Sequence, residues 1–309
     1  DAMGSTLGLQ HILSGMGKHV TVVTPDRPPR SLSFLPGMND VVAASYKPAA
    51  AANILATADL VFCLDYNSLK RIDKVQPLLE ASPARRILID HHLYPEDFAQ
   101  LTISVPKMSS TCELLYHVAI AAGWSELIDT AAASCIYCGM MTDTGNFTYN
   151  SSDPQTYIVI ADLVSRGIDK NRIYNLACNT FSESCLRLNG YALAEKMRLF
   201  PEHKAALITL SLEELHRFGY VKGDTEGLVN KPLTIPGIVW SCFLREDEPT
   251  FVKVSMRSVG DFPVNEVCEE HFGGGGHKNA SGGEMYSTLD EAVARFESIL
   301  PLYDKYIKN

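Results

Sequence analysis

Two apolar runs in this chain end abruptly in acid, and they limit its fold more than any other feature. "LVFCLD" (60–65) stops at Asp65, and "ILIDHH" (87–92) passes straight from aliphatic residues to Asp90, His91 and His92. Strands that are apolar at successive positions bury both faces, as in a parallel sheet covered by helices. "HVTVVTP" (19–25) reads as a further strand. The intervening stretches have helical signals. "MGSTLGLQHILSGMG" spaces Met3, Leu7, Ile12 and Leu13 along one face. "STCELLYHVAIAAG" opens with Ser/Thr, places Glu113 soon after and ends in Gly. "DTAAASCIYCGMM" reads as a second, buried helix. The fold expected is α/β, a parallel sheet with helices on both faces.

The character changes after Pro201. Helices are expected to dominate from Pro154 to about Phe200. Beyond them "KAALITL", "VWSCFLRE" and "TFVKVSMRS" read as strands, the last two forming a hairpin, and "VNEVCEEHF" and "LDEAVARFESILPLY" as helices. "FGGGGHKNASGG" (272–283) reads as a loop. With 309 residues the chain can bury two cores. The divisions expected are a first domain over 1–180, a helical connector over 181–203 and a smaller α+β domain over 204–309.

In an open parallel sheet, ligands bind beyond the carboxyl ends of the strands. Asp65 and Asp90–His91–His92 fall at such ends. "CGMMTD" (138–143) delivers Asp143 from an apolar element, and Asp1 precedes the first helix, where a strand-to-helix turn would fall. Crowded carboxylates raise each other's pKa unless a cation sits among them. Oxygen ligands with one or two imidazoles suit Mn²⁺ or Mg²⁺, and paired metals about 3.5–4 Å apart are a standard device for cleaving phosphate esters. A lone Asp at a strand end is usually a turn former. Two adjacent His after an Asp on a buried strand have little structural purpose.

Four consecutive glycines, Gly273 to Gly276, followed by His277, Lys278 and Asn279, would let backbone N–H groups close on an anion. The bland alternative is a flexible linker. No GK[ST] ending marks a Walker A loop. Arg257, near the end of a strand, is placed for a bidentate grip on phosphate, or is simply solvated. "CIYC" (135–138) has redox or zinc spacing, but no second CxxC exists, and buried thiols are the expectation. "TDTGNF" (142–147) resembles an aspartic-protease signature. One copy in an α/β chain does not supply the required pair of aspartates. The net charge of −9 argues against a protein that coats long nucleic acid. No apolar run reaches the length of a membrane span, about 18 residues. With no secretory leader and unpaired cysteines, a cytoplasmic location is expected.

Taken together, Asp65, "DHH" at 90–92, "MTDTGNF" at 141–147 and "FGGGGHKNASG" at 272–282 resemble the DHH–DHHA1 phosphoesterases in order and spacing over nearly the whole chain. Within that family the chain is most similar to the compact bacterial nanoRNase/pAp phosphatases. The resemblance implies a dinuclear Mn²⁺ hydrolase, with Mg²⁺ or Co²⁺ as substitutes. Asp65 would bridge the metals, and Asp1, His91 and Asp143 would complete one site. His92 would contact the phosphate or protonate the leaving oxygen. Arg257, Gly274, Gly275, Gly276, His277 and Asn279 would grip the substrate as the second domain closes over the cleft. Asn230, in "DTEGLVN", matches a family stretch near the substrate. The family's first motif carries a His and an Asp ahead of the position of Asp1, and these are expected upstream of this sequence.

The function expected is hydrolysis of very short RNA to mononucleotides, and of 3′-phosphoadenosine 5′-phosphate (pAp) to AMP, by a metal-activated water. Long duplexes and membranes are not expected partners. Two alternatives stand beside it: a phosphodiesterase for linear or cyclic dinucleotides, and a catalytically inactive nucleotide-binding module. "NSSDPQTYIVIADLV" (150–164) could serve as a homodimer interface or equally as internal core.

Overall fold

The computed structural model describes residues 1–307. The protein is α/β and divides into two compact units, Asp1–Thr180 and Phe181–Asn309. In the first, α1 (Ala2–Gly15) leads to β1 (Val23–Thr24), β2 (Val42–Ala43), α2 (Pro48–Thr57), β3 (Leu60–Leu64), α3 (Gln76–Ala81), β4 (Arg85–Asp90) and β5 (Leu101–Ser104). Helices α4 (Thr111–Ala121), α5 (Thr130–Asp143), α6 (Pro154–Ser165) and α7 (Lys170–Cys178) follow. Strands β3, β4 and β5 form a parallel sheet in that order, and β1 pairs in parallel with β2. Leu64 lies opposite Ile89, so β3 and β4 end side by side at Asp65 and Asp90.

Helix α5 is apolar all round, and nine of its residues from Ala132 to Met141 are buried, as expected of a central helix. Cys135 and Cys138 are free thiols within it, and burial raises both thiol pKa values. Helix α1 lies directly on α5. A Cβ on Gly4 would come within 2.6 Å of the Cys135 carbonyl and 2.8 Å of Gly139 Cα, so only glycine permits this approach. Side chains fix the helix starts: Ser110 accepts from the Glu113 amide, and Asp129 from that of Ala132.

The second unit contains α8 (Glu183–Tyr191), a π turn, β6 (Arg198–Phe200), β7 (Ala205–Leu210), α9 (Leu212–Arg217), β8 (Trp240–Glu248), β9 (Phe251–Ser258), α10 (Val264–His271), β10 (Gly275–His277), β11 (Ala280–Met285) and α11 (Leu289–Ile299). Its six-stranded sheet runs β10-β11-β9-β8-β7-β6, antiparallel except between β7 and β8. Trp240 stacks on Phe262 at 4.7 Å and packs against Phe296, the centre of a separate core.

Four expectations need correction. The glycine run is only in part a loop: Gly273 and Gly274 lie outside the strands. Gly275 to His277 form β10, paired with β11 through Gly275–Gly282, Gly276–Ser281 and His277–Ala280. The glycines allow close backbone approach: a Cβ on Gly276 would meet the Ala280 carbonyl at 2.7 Å. "HVTVVTP" contributes only Val23–Thr24, because its partner β2 is itself two residues long. "LTIS" was not expected as a strand. It is the half-exposed edge strand β5, without a buried run to reveal it. The helical stretch before Phe200 ends at the π turn, and Arg198–Phe200 pair with β7.

Candidate metal centre

Asp1 is the N-cap of α1, yet its carboxylate does not cap that helix. It turns to the start of α4, accepting from the amides of Thr111 (2.7 Å) and Cys112 (3.0 Å). The positive end of the α4 dipole therefore holds this acid, whose side chain is 2% exposed. Asp65 follows β3 with φ +67, an uncommon conformation that Asp tolerates better than most residues. Its amide donates to the Ile89 carbonyl, and its Oδ1 accepts from the Thr111 hydroxyl at 3.0 Å. Asp143 closes α5. The close packing of α1 on α5 is what brings it near Asp1.

His91 stands among these acids. Its Nε2 lies 3.4 Å from Asp143 Oδ2, 3.8 Å from Asp1 Oδ2 and 3.9 Å from Asp65 Oδ1. Its Nδ1 is 3.2 Å from the Met108 carbonyl oxygen. A carbonyl can only accept, so Nδ1 carries the proton, and in the neutral ring the lone pair of Nε2 faces the three carboxylates. Burial pushes the Asp143 carboxyl up, with Asp65 adding to this and His91 opposing it. Three carboxylates around His91 Nε2 would be satisfied by a bound cation or by an imidazolium. The donor set of three carboxylates and one imidazole fits Mn²⁺ or Mg²⁺. Asp1, His91 and Asp143 form one group with metal-ligand spacing, and Asp65, His91 and His92 form another.

His92 faces a different environment. Its Nδ1 lies 2.7 Å from Asp90 Oδ1, and its Nε2 is 3.3 Å from the Arg71 guanidinium. Asp90 is fully buried, and its Oδ2 has no hydrogen-bond partner among the described residues. The hydrogen bond to Asp90 raises the His92 pKa, outweighing the effect of burial. The two adjacent imidazoles meet edge to face, ring centres 5.0 Å apart.

In the second unit, Arg257 on β9 lies opposite Ala280 on β11. Among the described residues its guanidinium donates to carbonyls, of Met256 at 2.8 Å and Ser281 at 3.4 Å, and burial lowers its pKa. It is thus a half-buried cation without a carboxylate partner among the described residues. The adjacent β10–β11 hairpin brings Gly274, Gly275, Gly276 and His277 together, with His277 exposed. The Asn279 amide nitrogen donates to Ser258 Oγ, Gly260 and Phe262, so Asn279 pins the 258–262 loop. Lys278 pairs with Asp261 at 2.6 Å. Asn230 is exposed on the 3₁₀ turn Leu228–Thr234, which packs against β8 and β9.

Sequence reasoning did not find Thr111, Cys112 or Met108. Cys112 and Met108 act through backbone groups and Thr111 through its amide and hydroxyl, and the Ser/Thr start of α4 was the only available signal.

Comparison with known proteins places this geometry in context. Residues 1–140 match the DHH family, N-terminal domain, and residues 205–308 match the DHHA1 domain. The bifunctional oligoribonuclease and PAP phosphatase NrnA of Bacillus subtilis is 29% identical over 305 residues, covering 97% of this chain and 90% of that protein. The cyclic-di-AMP phosphodiesterase GdpP of Geobacillus thermodenitrificans is 25% identical, over 95% of this chain but 45% of its own length. The crystal structure of an exopolyphosphatase-related protein from Bacteroides fragilis is 48% identical with a TM-score of 0.97, covering 100% of this chain and 90% of that one.

Proposed function

We propose a function for this chain from one premise: it belongs to the DHH family and carries a DHHA1 domain. It is a hydrolase of phosphate esters that cleaves short oligoribonucleotides to mononucleotides and removes the 3′-phosphate of pAp. The observation that carries this reading is the convergence of Asp1, Asp65 and Asp143 on His91 Nε2, at 3.4–3.9 Å. The relatives' shared names, oligoribonuclease and PAP phosphatase, supply the substrate class.

Asp1, Asp65, His91 and Asp143 would hold Mn²⁺. When bound, the metal pair lowers the pKa of water and neutralises phosphate charge. The protein's own residues do the rest. The α4 amides keep the Asp1 carboxylate in place, and the Met108 carbonyl fixes the His91 tautomer. Asp90 orients His92 and raises its pKa, while the Arg71 guanidinium beside Nε2 opposes a proton there, so donation to the leaving oxygen by His92 would require Arg71 to turn toward the substrate. Arg257, lacking a carboxylate partner, is available to a substrate phosphate. Short substrates require few such contacts, which agrees with a net charge of −9.

A substrate panel tests this reading. The protein is incubated with Mn²⁺ and an RNA dinucleotide, a long RNA, pAp or cyclic di-AMP. Preferred turnover of the dinucleotide and pAp supports it. Preferred turnover of cyclic di-AMP would reassign the enzyme to cyclic-dinucleotide hydrolysis.

A further inference from the structure

A cavity of a different chemical character lies where β1 and β2 end, in the same unit as the acid cluster. It measures about 290 Å³ and is lined by Arg27, Arg30 and Lys47, with Tyr46 at its side and Met38 and Val41 among its apolar residues. That volume is at the small end of ligand pockets, which run to about 300–1,000 Å³. None of Asp1, Asp65, His91, His92 or Asp143 lines it, and neither does any other acid.

The three cations, like Tyr46, are solvent-exposed. Among the described residues none has a carboxylate within ion-pair distance, and the neighbouring Asp26 pairs instead with Lys74 at 4.0 Å. The Arg27 guanidinium lies over the Tyr46 ring, 3.8 Å from its centre, so one cation is already ordered against an aromatic surface. Lys47 is also the N-cap of α2, whose first residue, Pro48, has no N–H, so only the amides of Ala49 and Ala50 are left without a capping side chain among the described residues. In a chain of net charge −9, such a pocket is a local reversal of the field. Its position beyond the carboxyl ends of parallel strands is where α/β sheets take ligands.

We propose that this cavity binds a phosphorylated nucleoside, with its phosphate on Arg27, Arg30 and Lys47 and its base against Met38 and Val41, beside the Arg27–Tyr46 pair. The inference goes beyond the hydrolase reading and does not rest on it, since such binding needs neither metal nor hydrolysis. The same chemistry is presented by a free mononucleotide and by the phosphorylated end of an RNA chain.

The test is calorimetric titration of the whole protein in excess EDTA, in an Arg257→Gln background that weakens phosphate binding by the second unit. The probes are AMP, adenosine and the dinucleotide pApA. One AMP should bind per chain, and adenosine should bind at least about tenfold more weakly. Arg27→Gln with Arg30→Gln, and separately Lys47→Glu, should each weaken AMP by about tenfold or more, with unchanged circular dichroism. Equal affinity for AMP and pApA identifies a free nucleotide as the occupant, and tighter pApA binding identifies an RNA end. No AMP binding at millimolar concentration, equal binding of adenosine, or binding that survives both sets of variants overturns the proposal. Dinucleotide hydrolysis is measured separately, so failure of the hydrolase reading leaves this result standing, and the reverse.

Discussion

The carboxylate of Asp1 is held by the amide of Thr111, 110 positions away in sequence, across a 2.7 Å hydrogen bond. One acid of the cluster is therefore positioned by the start of a helix that contributes no acid of its own to it. Thr111 also donates its hydroxyl to Asp65, so this single residue locates two of the three carboxylates.

The packing of α1, α4 and α5 around Gly139 sets that geometry. A Cβ at Gly139 would collide with Cys112 Sγ and come within 3.2 Å of Asp1 Oδ1. Gly139→Ala should destabilise the protein by about 1–3 kcal/mol and weaken Mn²⁺ binding. Adding Cys112→Ala should recover part of both losses. Thermal melting with calorimetric Mn²⁺ titration of the single and double variants checks the coupling.

On the proposed mechanism, Asp90 would act through His92. Asp90→Asn keeps the shape of the side chain and removes the charge that orients the imidazole. We expect activity to fall by about 10–100-fold. KM for the dinucleotide should change little, because Asp90 is fully buried and does not meet substrate. A comparable rise in KM with kcat preserved would place His92 in binding and not in proton transfer.

Arg257 should show the reverse pattern. Arg257→Gln is expected to raise KM by about tenfold or more, since a charge-assisted hydrogen bond to phosphate is lost. Arg257→Lys should recover only part of it, because an ammonium cannot reproduce the planar fork. Steady-state kinetics with pAp measures both.

Glu214 gives the second unit a dependence on pH. Burial alone would raise its pKa, but Lys196 at 2.7 Å, the Ser211 amide at 2.8 Å and the Tyr191 hydroxyl at 2.6 Å together lower it. A carboxyl lowered in the folded state stabilises the fold fully above its unfolded pKa, and that stability is lost as pH falls through the folded value. Glu214→Gln should therefore cost about 1–3 kcal/mol at neutral pH and progressively less in acid. Urea unfolding of both proteins across the acid range checks the sign.

The sequence makes much of this arrangement visible. Asp65 and Asp90–His91–His92 are marked by apolar runs that end in polar residues, and such runs lie at the carboxyl edge of a buried sheet. Asp143 is marked in the same way, although its element is a helix. Cys112 and Met108 are hidden because backbone amides and carbonyls leave no trace in composition, and the Thr111 hydroxyl is indistinguishable in sequence from an ordinary helix-start residue. The hairpin at Gly275–His277 was obscured for another reason: four glycines have the look of an anion loop, while their pairing with Ala280–Gly282 depends on register. Arg27 and Tyr46 are 19 positions apart by their numbering, and only the parallel pairing of β1 and β2 brings them into one cavity.

The central claim is that the acids around His91 form a metal centre that cleaves phosphate esters. Its most direct test is the initial rate of mononucleotide release from an RNA dinucleotide with Mn²⁺, for the unmodified protein and for Asp65→Asn. The account predicts Mn²⁺-dependent release that EDTA abolishes and that falls by at least about a hundredfold in the variant. Release at an undiminished rate from Asp65→Asn, or none from a protein shown to have bound Mn²⁺, would contradict it.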